Sequence, residues 1–417
     1  MKPSARPGGN ATAVLWGQRL VTSFRYREFR WYWASATLTH GTFFLQNMVL
    51  SWQALEVTDS VFWVGAVAFA YGLPLLVLSP LAGWLADRCE RRWVVMLSLA
   101  LAALASGGLA WVTGRGAVTS THILISSFLI GSAFSLHAPA RLALLPSLVP
   151  TEMILNVSSL TYSSIRFVGL LGPVLAGALL DWTGIFASLV VQTLLFALAS
   201  LVYFRTGSFQ HEPVSTTSRQ RAGVWRELWA FLRGDKPLLA LTLLSLVFVP
   251  VGMLYLKLLP VFVRDILREG PAMLGLLTGV SHLGSAISGL AVVGAGDSYR
   301  KGDAILTAST AFGLGLVVLA FMRHTALSLG LIFTVGLMSG VFLTLSNALL
   351  LAQPPDHLRG RMMSMWNMVW GVLPVTSLLA GAAAEQWGVP AIFAVTGLAV
   401  ALTCILMYAQ RSRLRAL

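Results

Sequence analysis

The chain has 417 residues, 56% of them hydrophobic and 11% charged, with a mean hydropathy of +0.76. A soluble domain carries about 25% charged residues, so a soluble globular fold is excluded and most of the surface must face lipid. The net charge of +13 falls in short basic groups between apolar runs, the pattern of membrane orientation signals and not of a nucleic-acid-binding face.

The first 28 residues are basic and lack an apolar core of secretory length, so they are expected to be a cytoplasmic tail and not a cleaved signal. Segments of about 20 mostly apolar residues mark spanning helices. Twelve are predicted, near 29–55, 61–84, 93–112, 121–146, 155–180, 184–204, 237–263, 271–295, 303–322, 325–350, 361–384 and 389–410. The polar stretch 205–236 reads as a cytoplasmic linker. It separates a six-helix lobe over 29–204 from a second over 237–410, and a short tail follows at 411–417.

Orientation follows from the basic residues. Of the 29 lysines and arginines, 23 fall on one side. Four (Arg115, Arg264, Arg268, Arg323) fall on the other, and two, Arg166 and Lys257, lie within spans. By the positive-inside rule both termini are cytoplasmic. The halves also repeat: Ala176-Gly177-Ala178-Leu179-Leu180-Asp181-Trp182-Thr183-Gly184 in span 5 aligns without a gap to Ala380 through Gly388 in span 11, an offset of 204 residues. A 6+6 duplication with parallel halves implies an all-α, polytopic, two-lobed transporter architecture.

Between spans 2 and 3 the chain reads Gly83-Trp84-Leu85-Ala86-Asp87-Arg88-Cys89-Glu90-Arg91-Arg92. This Gly-x-x-x-Asp-Arg-x-x-Arg-Arg pattern resembles the loop between helices 2 and 3 of the major facilitator superfamily. The first half is similar to a bacterial drug and siderophore exporter branch that includes macrolide and enterobactin exporters. That similarity rests on Phe29-Arg30, on Ala86 through Arg92 with Glu90 in place of the common glycine, and on Pro139 through Pro150. In the second half it rests on Leu358 through Met362. The resemblance implies that Asp87 meets the start of span 11 near Gly360 to Met363. Arg91 and Arg92 would hold it there, and Gly83 would let a helix approach closely, so that the loop latches the cytoplasmic side. Simple positive-inside charge accounts equally for one or two of Arg88, Arg91 and Arg92. A degraded echo at Asp297, Arg300 and Lys301 has lost the glycine and should latch more weakly. Gly172-Pro173-Val174-Leu175-Ala176-Gly177 resembles a Gly-Pro motif associated with antiporters. An ordinary kinked packing helix is the alternative.

Arg166 lies mid-span, where a guanidinium costs at least ~2.5–3.5 kcal/mol on insertion scales. It either binds an anionic substrate group or tethers helix carbonyls. Lys257 either joins it or snorkels outward. His40, Phe44, Asn47 and Ser51 recur at helical spacing as a polar stripe on span 1, and Trp366-Asn367 lie in a Met- and Trp-rich start of span 11. These residues are expected to line a substrate cavity.

All sixteen acidic residues map to loops or span ends. A coupling proton would then use His40, His137, His282 or a terminal carboxylate. The two cysteines, Cys89 and Cys404, form no disulfide framework or ligand cluster. The chain carries no Gly-x-x-x-x-Gly-Lys-Ser/Thr loop, and no cofactor or metal is expected. The function expected is a monomeric secondary transporter of the bacterial inner membrane, embedded in the lipid bilayer and working by alternating access. It would export a neutral or anionic amphipathic small molecule, such as a siderophore or drug-like compound, by proton antiport. An importer of such a solute is the alternative; a polytopic enzyme would need paired acids or a His-rich set, and neither occurs.

Overall fold

The computed structural model describes residues 22–206, 221–296 and 299–409, with the side chains of 79, 80, 86, 87, 221–225 and 409 set aside. Every regular element among these residues is helical. Eight helical stretches are long and apolar enough to cross a membrane. Their outward faces carry side chains that only lipid would tolerate: Leu97, Leu104 and Trp111, seven residues apart in turn, are 65%, 74% and 58% exposed.

The first half runs through α1 (Arg27–Thr58), α2 (Val61–Val77), α3 (Ser79–Arg88), α4 (Arg91–Gly114), α5 (Ser120–Leu144) and α6 (Ile154–Phe204). The second half begins with α7 (Arg221–Gly234), inside the segment expected to be a polar linker. It continues through α8 (Lys236–Phe248), α9 (Tyr255–Val261), α10 (Pro271–Ala295), α11 (Lys301–Ala320), α12 (Thr325–Ala352) and α13 (Asp356–Ala409).

At 51 and 54 residues, α6 and α13 are each far longer than one crossing. Each turns back at a glycine, Gly184 with φ 75° and Gly388 with φ 78°. That left-handed conformation is costly for any residue with a Cβ. The two glycines are the last aligned pair of the repeat read in the sequence, so the duplication extends to the dihedral.

Two expected spans are broken. The segment 61–84 divides at Leu78 into α2 and α3, because Pro80 enters α3 near its start and has no N–H to continue the ladder from α2. The segment 237–263 unwinds between α8 and α9, where Pro250 removes a donor and Gly252–Leu254 form a 3₁₀ turn. The freed Pro250 carbonyl accepts from Thr376 Oγ1 of α13 at 2.6 Å, a protein partner for irregular backbone at membrane depth. Beyond α9 the chain continues as a π-helical turn, Phe262–Leu267.

The halves meet along two seams. In the first, α2 lies on α13, with Gly65 against Ser377 and Gly381 and Gly72 against Pro374. In the second, α6 lies on α10. A Cβ added at Gly177 would stand 2.5 Å from the Pro271 carbonyl oxygen and 2.8 Å from Gly275 Cα. Small residues let the backbones touch. The close approaches of the first seam run from the Asp59 end of the bundle to Leu76 and Gly371 and stop there.

Candidate functional site

At the join between halves, α1 supplies the polar stripe. Asn47 donates through Nδ2 to the Phe43 carbonyl at 2.8 Å, which turns its Oδ1 toward α9, where Lys257 Nζ donates to it at 3.3 Å. Ser51 Oγ donates to the Asn47 carbonyl at 2.6 Å. With Gln46, Tyr71 and Ser127 these residues line a cavity of about 60 Å³, room for several waters. Lys257 therefore does not snorkel; it faces the other half of the chain.

One turn before Asn47, Phe44 makes an edge contact with His282 of α10, ring centroids 5.6 Å apart. It lies so close to α6 that a Cβ at Gly172 would stand 3.1 Å from it. The Gly172–Pro173–Gly177 stretch is thus a packing surface for α1 and α10 together. His40 and His282 each donate Nδ1–H to a carbonyl one turn back, Ala36 at 2.6 Å and Thr278 at 2.8 Å. In the neutral ring this leaves Nε2 as an acceptor.

Arg166 shares a face of α6 with Pro173, two turns away, and so points toward α10. A Cβ at Gly289 would lie 3.8 Å from its Nη1. Among the described residues no carboxylate pairs with Arg166 or Lys257. Trp366 and Asn367 part company: Trp366 is 5% exposed and packs in the apolar core with Met362 and Val369, whereas Asn367 is exposed. Trp366 is a core residue, placed by its three- and four-residue spacing to those neighbours.

The sequence reading missed Arg141, counted there as a surface charge. It is 7% exposed, and its Nη1 donates to the Tyr32 hydroxyl at 3.3 Å while that hydroxyl donates to the Arg141 carbonyl at 3.4 Å. His137, one turn earlier on the same face of α5, is buried with neither ring nitrogen bonded, its ring at the edge of Tyr203. The four-residue spacing of His137 and Arg141 was the available signal, since it places both on one face of an apolar helix.

The Arg91 end carries the loop that was expected to form the latch. The side chain of Asp87 and the whole of Asp297 lie outside the described residues. A Cβ at Gly83 or at Gly360 would meet nothing within 4 Å, so Gly83 is not a packing glycine in this conformation. Arg88 stacks over Trp84, 4.8 Å from the ring centroid. Arg91 donates to the Ala143 carbonyl at 2.8 Å and Arg92 to the Phe204 carbonyl at 2.5 Å. Both arginines thus cap the carbonyl ends of α5 and α6, where a cation suits the helix dipole. Arg300 reaches Asp303 at 3.7 Å; Lys301 begins α11. The start of α13 has a partner that was not expected: Glu227 of α7 accepts from His357 Nε2 at 3.2 Å and from Arg361 at 3.5 Å.

The Asp59 end is tied shut across the halves. Arg264, aimed by the π-helical turn, donates to the Leu55 carbonyl at 2.9 Å and to Asp59 at 2.7 Å, and also pairs with Asp265. Glu385 of α13 accepts from Ser60 Oγ and from the Phe62 N–H, each at 3.0 Å. No group of histidine, cysteine or acidic residues suited to a metal occurs among the described residues.

A sequence model of the Major Facilitator Superfamily matches residues 32–372 and, in a second match, 258–415. Among characterised proteins the chain is 22% identical over 381 residues to the Staphyloferrin A transporter of Staphylococcus aureus, covering 88% of this chain and 94% of that protein. It is 25% identical over 353 residues to the multidrug efflux pump Tap of Mycolicibacterium fortuitum, covering 82% and 85%. Among solved structures it superposes with a TM-score of 0.71 on a bacterial homolog of the human lysosomal transporter Spinster in an inward-facing, unoccupied conformation. That match has 13% identity and covers 92% of this chain and 96% of the other.

Proposed function

The chain belongs to the Major Facilitator Superfamily of membrane transporters, and from that premise we propose that it exports an amphipathic, neutral or anionic small molecule by alternating access. Its matched relatives are transporters and efflux pumps, not enzymes. The observation that carries the substrate reading is the pair Arg166 and Lys257, two cations at the join of the halves with no carboxylate paired to either among the described residues. An intramembrane charge of this kind marks a substrate or ion pathway.

We place twelve spans in two six-helix lobes, with both termini and the Arg91 end in the cytoplasm of a bacterial inner membrane. The closed Asp59 end is then the outer side, and the conformation described is open to the cytoplasm. The latch belongs to the opposite conformation, in which Asp87 reaches the start of α13, with Asp297 as its weaker counterpart. The coupling proton of an antiporter has no mid-span carboxylate to ride on. We assign it to His40 and His282, whose Nδ1 atoms are bonded to carbonyls while Nε2 is left as an acceptor.

Transport into inside-out vesicles tests this reading. Energised vesicles should accumulate amphipathic anions, and Arg166→Ala should lower the rate at least about tenfold, the equivalent of 1.4 kcal/mol. Uptake confined to right-side-out cells would reverse the direction and make the protein an importer. Full transport by Arg166→Ala would remove that residue from the pathway.

A further inference from the structure

The outer cavity at Lys257 has the chemistry of a built site. An ammonium carries three donors; in Lys257 one of them is engaged, in a long 3.3 Å bond to Asn47 Oδ1. Asn47 is fixed in turn, because its Nδ2 is held on the Phe43 carbonyl and its own carbonyl accepts from Ser51. The other polar lining residues, Gln46, Tyr71 and Ser127, are neutral, and no acidic side chain lines the cavity. Its volume of about 60 Å³ admits a carboxylate group in place of some of the waters it would otherwise hold.

The second cation is set along the same path. Phe44 is one turn from Asn47 toward the cytoplasm and touches His282. Arg166 faces Gly289, seven residues beyond His282 on α10. At 1.5 Å of rise per residue the two cations are roughly 15 Å apart along the membrane normal, with the Phe44–His282 contact between them. A neutral ligand leaves both charges uncompensated in a site of low dielectric, and a cationic ligand adds repulsion; an oxyanion compensates each cation in turn as it reaches it.

We propose that the Lys257 cavity is a carboxylate subsite, positioned by Asn47, and that the transported molecule is an organic anion whose acidic group passes from Arg166 to Lys257 while its apolar body lies against Phe44. This rests on the reading of the chain as a small-molecule transporter and narrows its substrate to anions.

Three matched probes, 3-phenylpropionate, 3-phenylpropanamide and 3-phenylpropylammonium, differ only in the charge of the head group. Binding to the full-length protein in lipid nanodiscs, read by tryptophan fluorescence, should favour the carboxylate over the amide by about tenfold or more, a charge-assisted hydrogen bond's share, with the ammonium weakest. Lys257→Gln should bring carboxylate and amide to equal affinity while leaving the amide unchanged; Lys257→Arg should keep the preference and shows that the site tolerates substitution. Asn47→Leu should weaken the carboxylate alone. Equal affinity of carboxylate and amide for the unaltered protein, no carboxylate binding at millimolar concentration, or a preference that survives Lys257→Gln overturns the proposal. So does competition by phosphate or chloride as strong as by the carboxylate probe, which would make the cavity a site for inorganic anions. A carboxylate preference that depends on Lys257, in a protein that accumulates nothing in inside-out vesicles, leaves the subsite standing and removes the export reading.

Discussion

Replacing Gly177 by valine should slow transport severalfold or more without unfolding the protein. The seam between α6 and α10 brings backbone to backbone, so a side chain at Gly177 meets the Pro271 carbonyl at 2.5 Å and Gly275 Cα at 2.8 Å. Neither can rotate aside as a side-chain end would, so the helices must separate. Overpacking of this kind costs typically ~1–3 kcal/mol. The contact joins the two halves in the conformation described, so under the alternating-access proposal, with the Asp59 end as the outer side, the cost falls on the outward-closed state. The shift is then roughly 5- to 150-fold toward the outward-open state. A cysteine at Ser60, introduced with the exposed Cys89 changed to serine, reports it by its labelling rate from outside. Gly108→Ala is the control, since an added Cβ there meets nothing within 4 Å. Unchanged labelling in Gly177→Val would show that the seam is not what holds the outer side closed.

The sequence revealed these seams only in part. The repeat ending at Gly184 and Gly388 was legible because glycine is the one residue whose identity announces a left-handed turn, and both carry that conformation. Gly177 and its neighbours were legible as a packing face, but not that α10 answers with Gly275, since a face does not name its partner. Arg141 was misplaced because counting charges by loop treats every arginine near a span end as a surface residue. Only its register with His137 tells otherwise. Glu227 was invisible for a different reason: it lies in α7, a segment whose polarity marks it as a linker, and its partners His357 and Arg361 are some 130 positions away. Trp366 was placed in the cavity on residue type alone, and its spacing to Met362 and Val369 decides for the core.

Arg264→Gln should also shift the protein toward its outward-open state, by about tenfold, and slow each transport cycle at the return step. The prediction follows from where α1 ends and α2 begins. Between Thr58 and Val61 the first half presents the carbonyl end of one helix beside the amide end of the next. The second half answers each with the charge its dipole favours: Arg264 on the Leu55 carbonyl and Asp59, Glu385 on the Phe62 N–H and Ser60. Arg264 is the better buried member of its ion pair, its side chain 25% exposed against 87% for Asp59. Hydrogen bonds to a charged group contribute ~1.5–3 kcal/mol when desolvated, reduced here by that exposure to the ~1–2 kcal/mol that a tenfold shift requires. Asp59→Asn removes only an exposed charge, worth ~0.2–1 kcal/mol, and leaves the Leu55 bond in place. Glu385→Gln keeps an acceptor for the Phe62 N–H, the donor that remains once Ser60 is the reporter cysteine. The order of effect on Ser60→Cys labelling should therefore be Arg264→Gln well above Asp59→Asn and Glu385→Gln. If Arg264→Gln and Asp59→Asn are equal, the ion pair and not the helix-end cap is what closes the outer side. If Asp59→Asn exceeds Arg264→Gln, the cap at Leu55 contributes nothing. Either result would take the closing force away from the Leu55 cap, and Gly177→Val measures separately the share held by the glycine seams.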